Sequence, residues 1–340
     1  MAGAPPPPAS QPVAPPFLLF VGADVYLNPH AQYSIASRLR VDTTFRELLH
    51  DDPYFETPQG WVLVFDESSR WPWPFLWRPQ DRRKIMLPPM FTDLPRNCKC
   101  LLTHKLSDKP GADDPCVVVI LDLDHTQYWF CYVKEYTSWH HRSYTLAALD
   151  AEGRRHKRNM ARGVSIAAVG GKIYYELSEH EMGVLEFDPH ARPTLTRIKV
   201  DMVQIPPGFP TWLRYFVESC GELFLVILYF RPNCQRKVSR VALYKMDFSM
   251  SAWCKVDHIG DRVFLLCGDQ SGLSRFGASC LASDHGLTAN RIYFFNHISH
   301  LQDTLHVFDV TNKTQEVTIP FRIGVSPLRP PFWILPTEDP

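Results

Sequence analysis

A tight-turn residue followed at once by a strand-forming run occurs four times in this chain, and that recurrence limits what it can fold into. The copies are Gly60-Trp61-Val62-Leu63-Val64, Gly171-Lys172-Ile173-Tyr174-Tyr175, Gly221-Glu222-Leu223-Phe224-Leu225 and Asn290-Arg291-Ile292-Tyr293-Phe294. Gly, and after it Asn, tolerates the positive φ of a hairpin turn, so each copy predicts a turn feeding an inner strand. A second apolar run follows each one. Three of these runs end in an acid, at Asp188, Asp247 and Asp309, where a short carboxylate accepts backbone N–H groups and starts the next turn. In the first copy the second run is Leu76-Trp77-Arg78-Pro79, leading to Ile85-Met86-Leu87-Pro88-Pro89.

Equivalent small sheets stack best around an axis, burying large rings between neighbours. Two tryptophans mark a further, outer strand: Trp139 follows Phe130 by nine residues, and Trp253 follows Tyr244 by the same nine. Gly171 to Gly221 spans 50 residues and Gly221 to Asn290 spans 69, too uneven for a strict array. The expected fold is therefore all-β, an irregular β-propeller of about five to seven four-stranded blades at ~40–50 residues each. A β-sandwich is the rival, but it does not require four copies of one signature.

The rest of the chain has the same texture. Apolar runs at Trp61–Phe65, Cys116–Leu121, Tyr128–Val133, Lys172–Leu177, Leu223–Phe230, Val241–Met246, Arg291–Phe295 and Thr304–Val310 have strand length. Thirty prolines in 340 residues also favour short strands over long helices. Ala31–Leu49, with Ile35, Leu39, Phe45 and Leu48, is the one stretch that admits a helix. Residues 1–16 hold seven prolines and no charge, which predicts a disordered, polyproline-like tail ahead of one domain over 17–336.

Composition excludes several functions. Thirty-six basic and thirty-six acidic side chains cancel, so the footprint for nucleic acid is missing. The longest apolar runs fall far short of the ~20 residues of a membrane helix. Nine cysteines form no regular framework and no secretory signal precedes them, so reduced thiols and a cytoplasmic or nuclear location are expected.

Residues 241–310 carry a more specific signal. Tyr244-Lys245-Met246-Asp247, Trp253-Cys254-Lys255-Val256 and Ile259-Gly260-Asp261-Arg262-Val263-Phe264-Leu265 are followed by Gly272-Leu273-Ser274, Phe276, Ala278 and Asn290-Arg291-Ile292-Tyr293-Phe294. This succession resembles the plant KIB-type β-propeller domain. Trp77-Arg78-Pro79 through Leu87-Pro88-Pro89 is similar to another element of that family, with Arg78 where Asn is usual, and Pro330-Pro331-Phe332-Trp333 fits its close. The resemblance spans roughly Pro16 to Pro336. It implies a propeller that grips another macromolecule. Many members place an F-box before the propeller, docking on the Skp1 adaptor of a cullin ubiquitin ligase. No leucine-rich segment of F-box size precedes the first strand here, so a Skp1–cullin link does not carry over.

Candidate chemistry is sparse. Asp122 and Asp124 would share a face in a strand, as a metal pair would, but Asp124-His125-Thr126 reads as a hairpin turn. Cys98 and Cys100 have the wrong spacing for a zinc knuckle and read as loop thiols. His140 and His141 would point to opposite faces of a strand and not chelate together. The basic run Arg154–Arg158 through Arg162 reads as a solvated loop between blades, with nuclear import or an acidic partner as the other reading. No catalytic, cofactor or metal residue is assigned.

The expected role is a non-enzymatic module that binds a protein through its loops. Trp71, Trp73 and Phe75, in the proline-broken stretch Trp71-Pro72-Trp73-Pro74, are the candidate contacts, with burial between blades as their other reading. A propeller enzyme or carbohydrate-binding protein, with acids around a central channel, is the alternative.

Overall fold

The computed structural model describes residues 16–21, 30–48, 53–66, 73–95, 97–106, 115–133, 138–149, 155–231, 234–268, 275–296, 304–320 and 331–335. They form six blades. The first contains β1 (Phe17–Val21), β2 (His30–Ser34) and β3 (Arg40–Thr43). The second is β4 (Tyr54–Glu56), β5 (Val62–Asp66), β6 (Trp73–Arg78) and β7 (Arg83–Met86). The third is β8 (Cys98–Leu102), β9 (Val117–Asp122), β10 (Gln127–Tyr132) and β11 (His140–Ser143). A separate hairpin of β12 (Leu146–Leu149) and β13 (Arg155–Arg158) precedes the fourth blade, β14 (Ile166–Val169), β15 (Lys172–Glu176), β16 (Glu181–Glu186) and β17 (Thr194–Lys199).

The fifth blade is β18 (Trp212–Ser219), β19 (Glu222–Arg231), β20 (Cys234–Asp247) and β21 (Ala252–Val256). The sixth has five strands: β22 (Arg262–Gly268), β23 (Arg275–Leu281), β24 (Arg291–Asn296), β25 (Thr304–Asp309) and β26 (Thr314–Thr318). In space β22 lies between β23 and β24, antiparallel to the first and parallel to the second. This departs from the expected four strands. Finally β27 (Phe332–Ile334) returns to the first blade and pairs with β1, Phe17 opposite Ile334 and Leu19 opposite Phe332.

The innermost strands are β27, β4, β8, β14, β18 and β23; successive ones touch from β27 round to β23, and β27 meets the sixth blade at β22. Val217 of β18 bridges Gly277 of β23 in parallel, joining blades five and six into one hydrogen-bonded surface. Gly277 is required there. A Cβ would sit 2.4 Å from Val217 Cγ2 and 2.9 Å from the Phe216 carbonyl oxygen.

The core is six apolar layers, one between each pair of adjacent blades. Phe17, Leu19, Phe332 and Trp77 fill the layer between blades one and two. Leu63, Cys100, Ile120 and Trp129 fill the next. Tyr128, Phe130, Ile173 and Tyr175 follow, then Val184, Phe216, Leu225 and Ile227. Val226, Phe264, Leu266 and Ile292 lie between blades five and six, and Leu18, Leu265, Phe295 and Trp333 close the circle. A sandwich would have a single inner layer, so the ring architecture holds.

The turn residues act as their chemistry requires. Gly60, Gly171, Gly221 and Asn290 all have positive φ, between 59° and 85°. The strands they open, β5, β15 and β19, are however the second strands of their blades, and β24 is the third of its blade. Gly170–Gly171 and Cys220–Gly221 are two-residue hairpins with both φ values positive, which matches the twist of the flanking strands. The three acids start turns. Asp188 accepts the His190 N–H at 2.8 Å, Asp247 those of Ser249 and Met250, and Asp309 that of Asn312.

Trp139 and Trp253 occupy equivalent places. Trp139 abuts β11 and Trp253 lies in β21, each at the outer strand of its blade and packed against the blade before it. Their polar edges differ. Trp139 Nε1–H donates to the Pro88 carbonyl at 2.9 Å, whereas Trp253 Nε1 has no such partner.

Of the stretch Ala31–Leu49, the described part, residues 31–48, is not an α-helix. It forms β2, a turn with Arg38 at φ 57°, β3, and a single 3-10 turn at Arg46–Leu48. Pairing of His30–Ser34 with β1 satisfies the backbone that a helix would have closed on itself. Residues 1–15 lie outside the described residues.

Candidate functional site

The proline-broken aromatic stretch leads into β6, the third strand of blade two. Trp71 lies outside the described residues. Trp73 opens β6 opposite Asp66, and 46% of it is exposed. Phe75, two residues on, is buried at 7% in the layer between blades one and two, with Lys84 Nζ 4.8 Å above its ring. The fold thus separates two neighbouring candidates: Trp73 faces solvent and Phe75 belongs to the core. Proline at 74 does not disturb the strand, because its carbonyl still accepts the Leu87 N–H at 2.9 Å.

Sequence reasoning missed two further exposed residues, one beside Trp73 and one in the connection that follows. β7 ends at Met86, whose strand partner is Phe75, and 53% of Met86 is exposed. Phe91, in the connection to blade three, is 67% exposed. The only signal for Phe91 was its position in a proline-rich connection, where strand alternation no longer hides a side chain, and Met86, the last residue of β7, had none. The opposite end of the blade, where β6 finishes at Arg78, is pinned by a separate cluster. Arg78 is buried with its guanidinium 5.3 Å above the Trp61 ring, and it donates from Nε to Asp81 at 2.9 Å. That guanidinium holds the Asp81 carboxyl below the usual range. Lys84 pairs with Glu47 of the first blade at 3.1 Å.

Another aromatic stands where β18 begins. Trp212 is 36% exposed and carries Arg214 4.5 Å above its ring. Arg214 is fixed by Glu176 Oε1 at 2.6 Å and the Val203 carbonyl at 2.7 Å. This carboxylate is therefore neutralised by an ion pair. At the axis, Lys99 of β8 donates to the Arg275 carbonyl of β23, and Arg275 Nη2–H donates to the Gly163 carbonyl at 2.9 Å. Blades three, four and six are tied together there. Among the described residues no three His, Cys, Asp or Glu side chains come together in a way that could hold a metal ion.

The remaining candidates resolve into structural parts. Asp122 is fully buried at the end of β9. Its Oδ1 accepts the N–H groups of Asp124 and His125, and its Oδ2 accepts Gln127 Nε2 at 2.8 Å and lies 3.1 Å from His125 Nδ1. Burial alone would raise its pKa, but these hydrogen bonds outweigh it and hold the carboxyl below its ordinary value. This is a turn lock, as the sequence suggested.

Cys98 and Cys100 are not loop thiols. They occupy β8 and face the layer between blades two and three, where burial pushes both thiols up. His140 and His141 do point apart, stacking on Phe130 at 5.0 Å and Trp129 at 4.9 Å on opposite faces. Part of the basic run is a strand: Arg155–Arg158 pairs with Leu146–Leu149 in the hairpin between blades three and four, Arg162 lies in the turn that follows, and Arg154 lies outside the described residues.

No helix among the described residues is long and apolar enough to cross a membrane. Among curated proteins, none matches the chain. Solved structures of similar outline include a candidate 6-phosphogluconolactonase from Bacteroides fragilis, 8% identical with a TM-score of 0.36 over 94% of this chain and 96% of that one. A protein from Lactobacillus plantarum is 10% identical with a TM-score of 0.37 over 89% and 81%. A functionally unknown protein from Desulfotomaculum acetoxidans is 12% identical with a TM-score of 0.38 over 93% and 100%. Scores this low carry no argument about activity. The decisive match is to the family model described as KIB1-4 beta-propeller, over residues 32–318. With its six interlocked blades and that match over most of its length, the chain belongs to the KIB1-4 beta-propeller family.

Proposed function

We propose that this protein is a protein-interaction module that docks a partner on the rim of its second blade. One observation carries the reading: Trp73 and Met86 are large, apolar and exposed on adjacent strands at one end of blade two, and Phe91 is exposed in the connection that follows. Apolar side chains in water are unfavourably hydrated and gain free energy when a partner covers them, and aromatic anchors are typical centres of protein contacts. Among the described residues, Glu176 is committed to its ion pair with Arg214 and Asp122 to its turn, which supports binding over hydrolysis.

The test is affinity purification of the full chain from plant cells beside a Trp73→Ser, Phe91→Ser variant of unchanged melting temperature. A partner recovered with the native chain and lost with the variant supports the reading. An unchanged partner set removes the rim from consideration. Skp1-type adaptors are scored in the same experiment, since their recovery would connect the module to a ubiquitin ligase.

A further inference from the structure

The outer strand of the fifth blade is shorter than the strand it covers. β21 pairs only with Leu243–Asp247, whereas β20 extends back to Cys234. Among the described residues no strand pairs with Ser239–Ala242 on the outer side. Past Val256 the chain leaves β20: the Ile259 N–H donates to Asn290 Oδ1 at 2.8 Å, and β22 begins inside the sixth blade. Ser239 is the extra residue of a bulge, since Phe230 lies opposite Val238 while Tyr229 lies opposite Arg240.

The missing stretch of outer strand opens a groove of about 390 Å³ between blades five and six. Its apolar lining comes from Val241, Leu243, Val256, Phe308 and Val310. Three cations border it, Arg240, Lys255 and Lys313, against one acid, Asp257. Arg240 rests 5.8 Å from the Tyr229 ring centre, and none of the three cations has an ion pair among the described residues.

An edge strand presents the N–H and C=O groups of alternate residues outward, and an extended chain can complete that ladder. We propose that the open edge of β20 at Ser239–Ala242 accepts an acidic, extended peptide segment of a partner protein by strand addition. Main-chain bonds to β20 would supply the pairing, the apolar lining would take alternate side chains, and Arg240, Lys255 and Lys313 would select carboxylates. The charges decide against a second copy of this chain as occupant, because its own edge would bring the same three cations to the contact. This site is separate from the rim of blade two.

The probe is a labelled peptide of about ten residues alternating Glu with Thr and Val, titrated into the full chain and followed by fluorescence anisotropy. Saturable binding that weakens with salt is expected, and replacing each Glu by Lys should abolish it. The R240E/K255E/K313E variant, with native melting, should bind at least tenfold more weakly. N-methylating alternate peptide amides should abolish binding in one register and spare it in the other.

Absence of saturable binding, equal affinity for the Lys peptide, or indifference to methylation in both registers would overturn the proposal. So would sedimentation that shows the native chain dimerising through this edge.

Discussion

Replacing Trp333 with Ala should cost this protein more than any change at its surface. Trp333 is 1% exposed in β27, packed in the layer that closes blade six on blade one, with its ring 6.5 Å from that of Tyr293. Its Nε1–H donates to the Leu266 carbonyl at 3.1 Å. Truncating a buried Trp or Phe to Ala generally costs about 3–5 kcal/mol, from lost transfer energy plus the cavity left behind. The net value of the hydrogen bond, about 1 kcal/mol, lies mostly within that range. Unfolding entropy of about 2.1 cal/mol/K per residue gives roughly 0.7 kcal/mol/K for this chain, so the melting temperature should fall by about 4–7 °C.

Trp333→Phe keeps most of the packing and loses the donor, so a fall of about 2 °C is expected. Differential scanning calorimetry measures both. Hydrogen exchange should also show the amides of Phe17–Leu19 losing protection in the Ala variant, because β27 is their partner strand. If Trp333→Ala melts within 1 °C of the native chain, closure by β27 is not holding the ring together and the packing argument fails.

Other outcomes follow from the same geometry. Gly277→Ala should destabilise by about 1–3 kcal/mol, since the Phe216 carbonyl cannot move without breaking the seam between blades five and six; the shift in the denaturant midpoint measures it, and an unchanged midpoint would contradict the close approach. His306, in the sixth blade, is buried and its pKa is lowered to about 4 by that burial. Its neutral form is the native one, so the unfolded chain binds the extra proton. Stability is full above the unfolded pKa near 6.5 and is lost as pH falls towards 4, by an amount on the order of 3 kcal/mol. His306→Gln should flatten that part of the pH–stability curve, and an unchanged slope would show that another group is responsible.

Glu176→Ala should cost about 3 kcal/mol by leaving the buried Arg214 uncompensated, while Glu186→Ala, whose pair with Lys172 is exposed, should cost less than about 1 kcal/mol. Equal effects in urea titrations would contradict the burial argument.

The blades were legible wherever a residue type is tied to one backbone state. Glycine and asparagine at positive φ, short acids at turn starts, and rings at equal distances all describe local geometry, and they landed where expected. Position within a blade was not legible. Whether the strand after Gly60 is first or second depends on β4, three residues long and too brief to leave a periodic signal. The insertion of β22 is likewise set by long-range pairing, which local sequence does not encode.

Thiol pairs such as Cys98 and Cys100 misled for a related reason: an inner strand tilted towards the axis mixes buried sulfur with a cation, Lys99, and so resembles a loop. At the rim, alternation predicts that Trp73 and Phe75 share one face of a strand. They differ in burial because Trp73 stands at the strand's end, beyond the cover of blade one.

The pairing of β1 with β27 also governs how the chain can be made. The first blade is assembled from the first and the last of the described strands, Phe17–Val21 and Phe332–Ile334. Until β27 is available, β1 has its inner edge bare and the apolar sides of blades one and six are uncovered. Closure therefore waits for β27, and a chain that lacks it carries an aggregation-prone edge along β1.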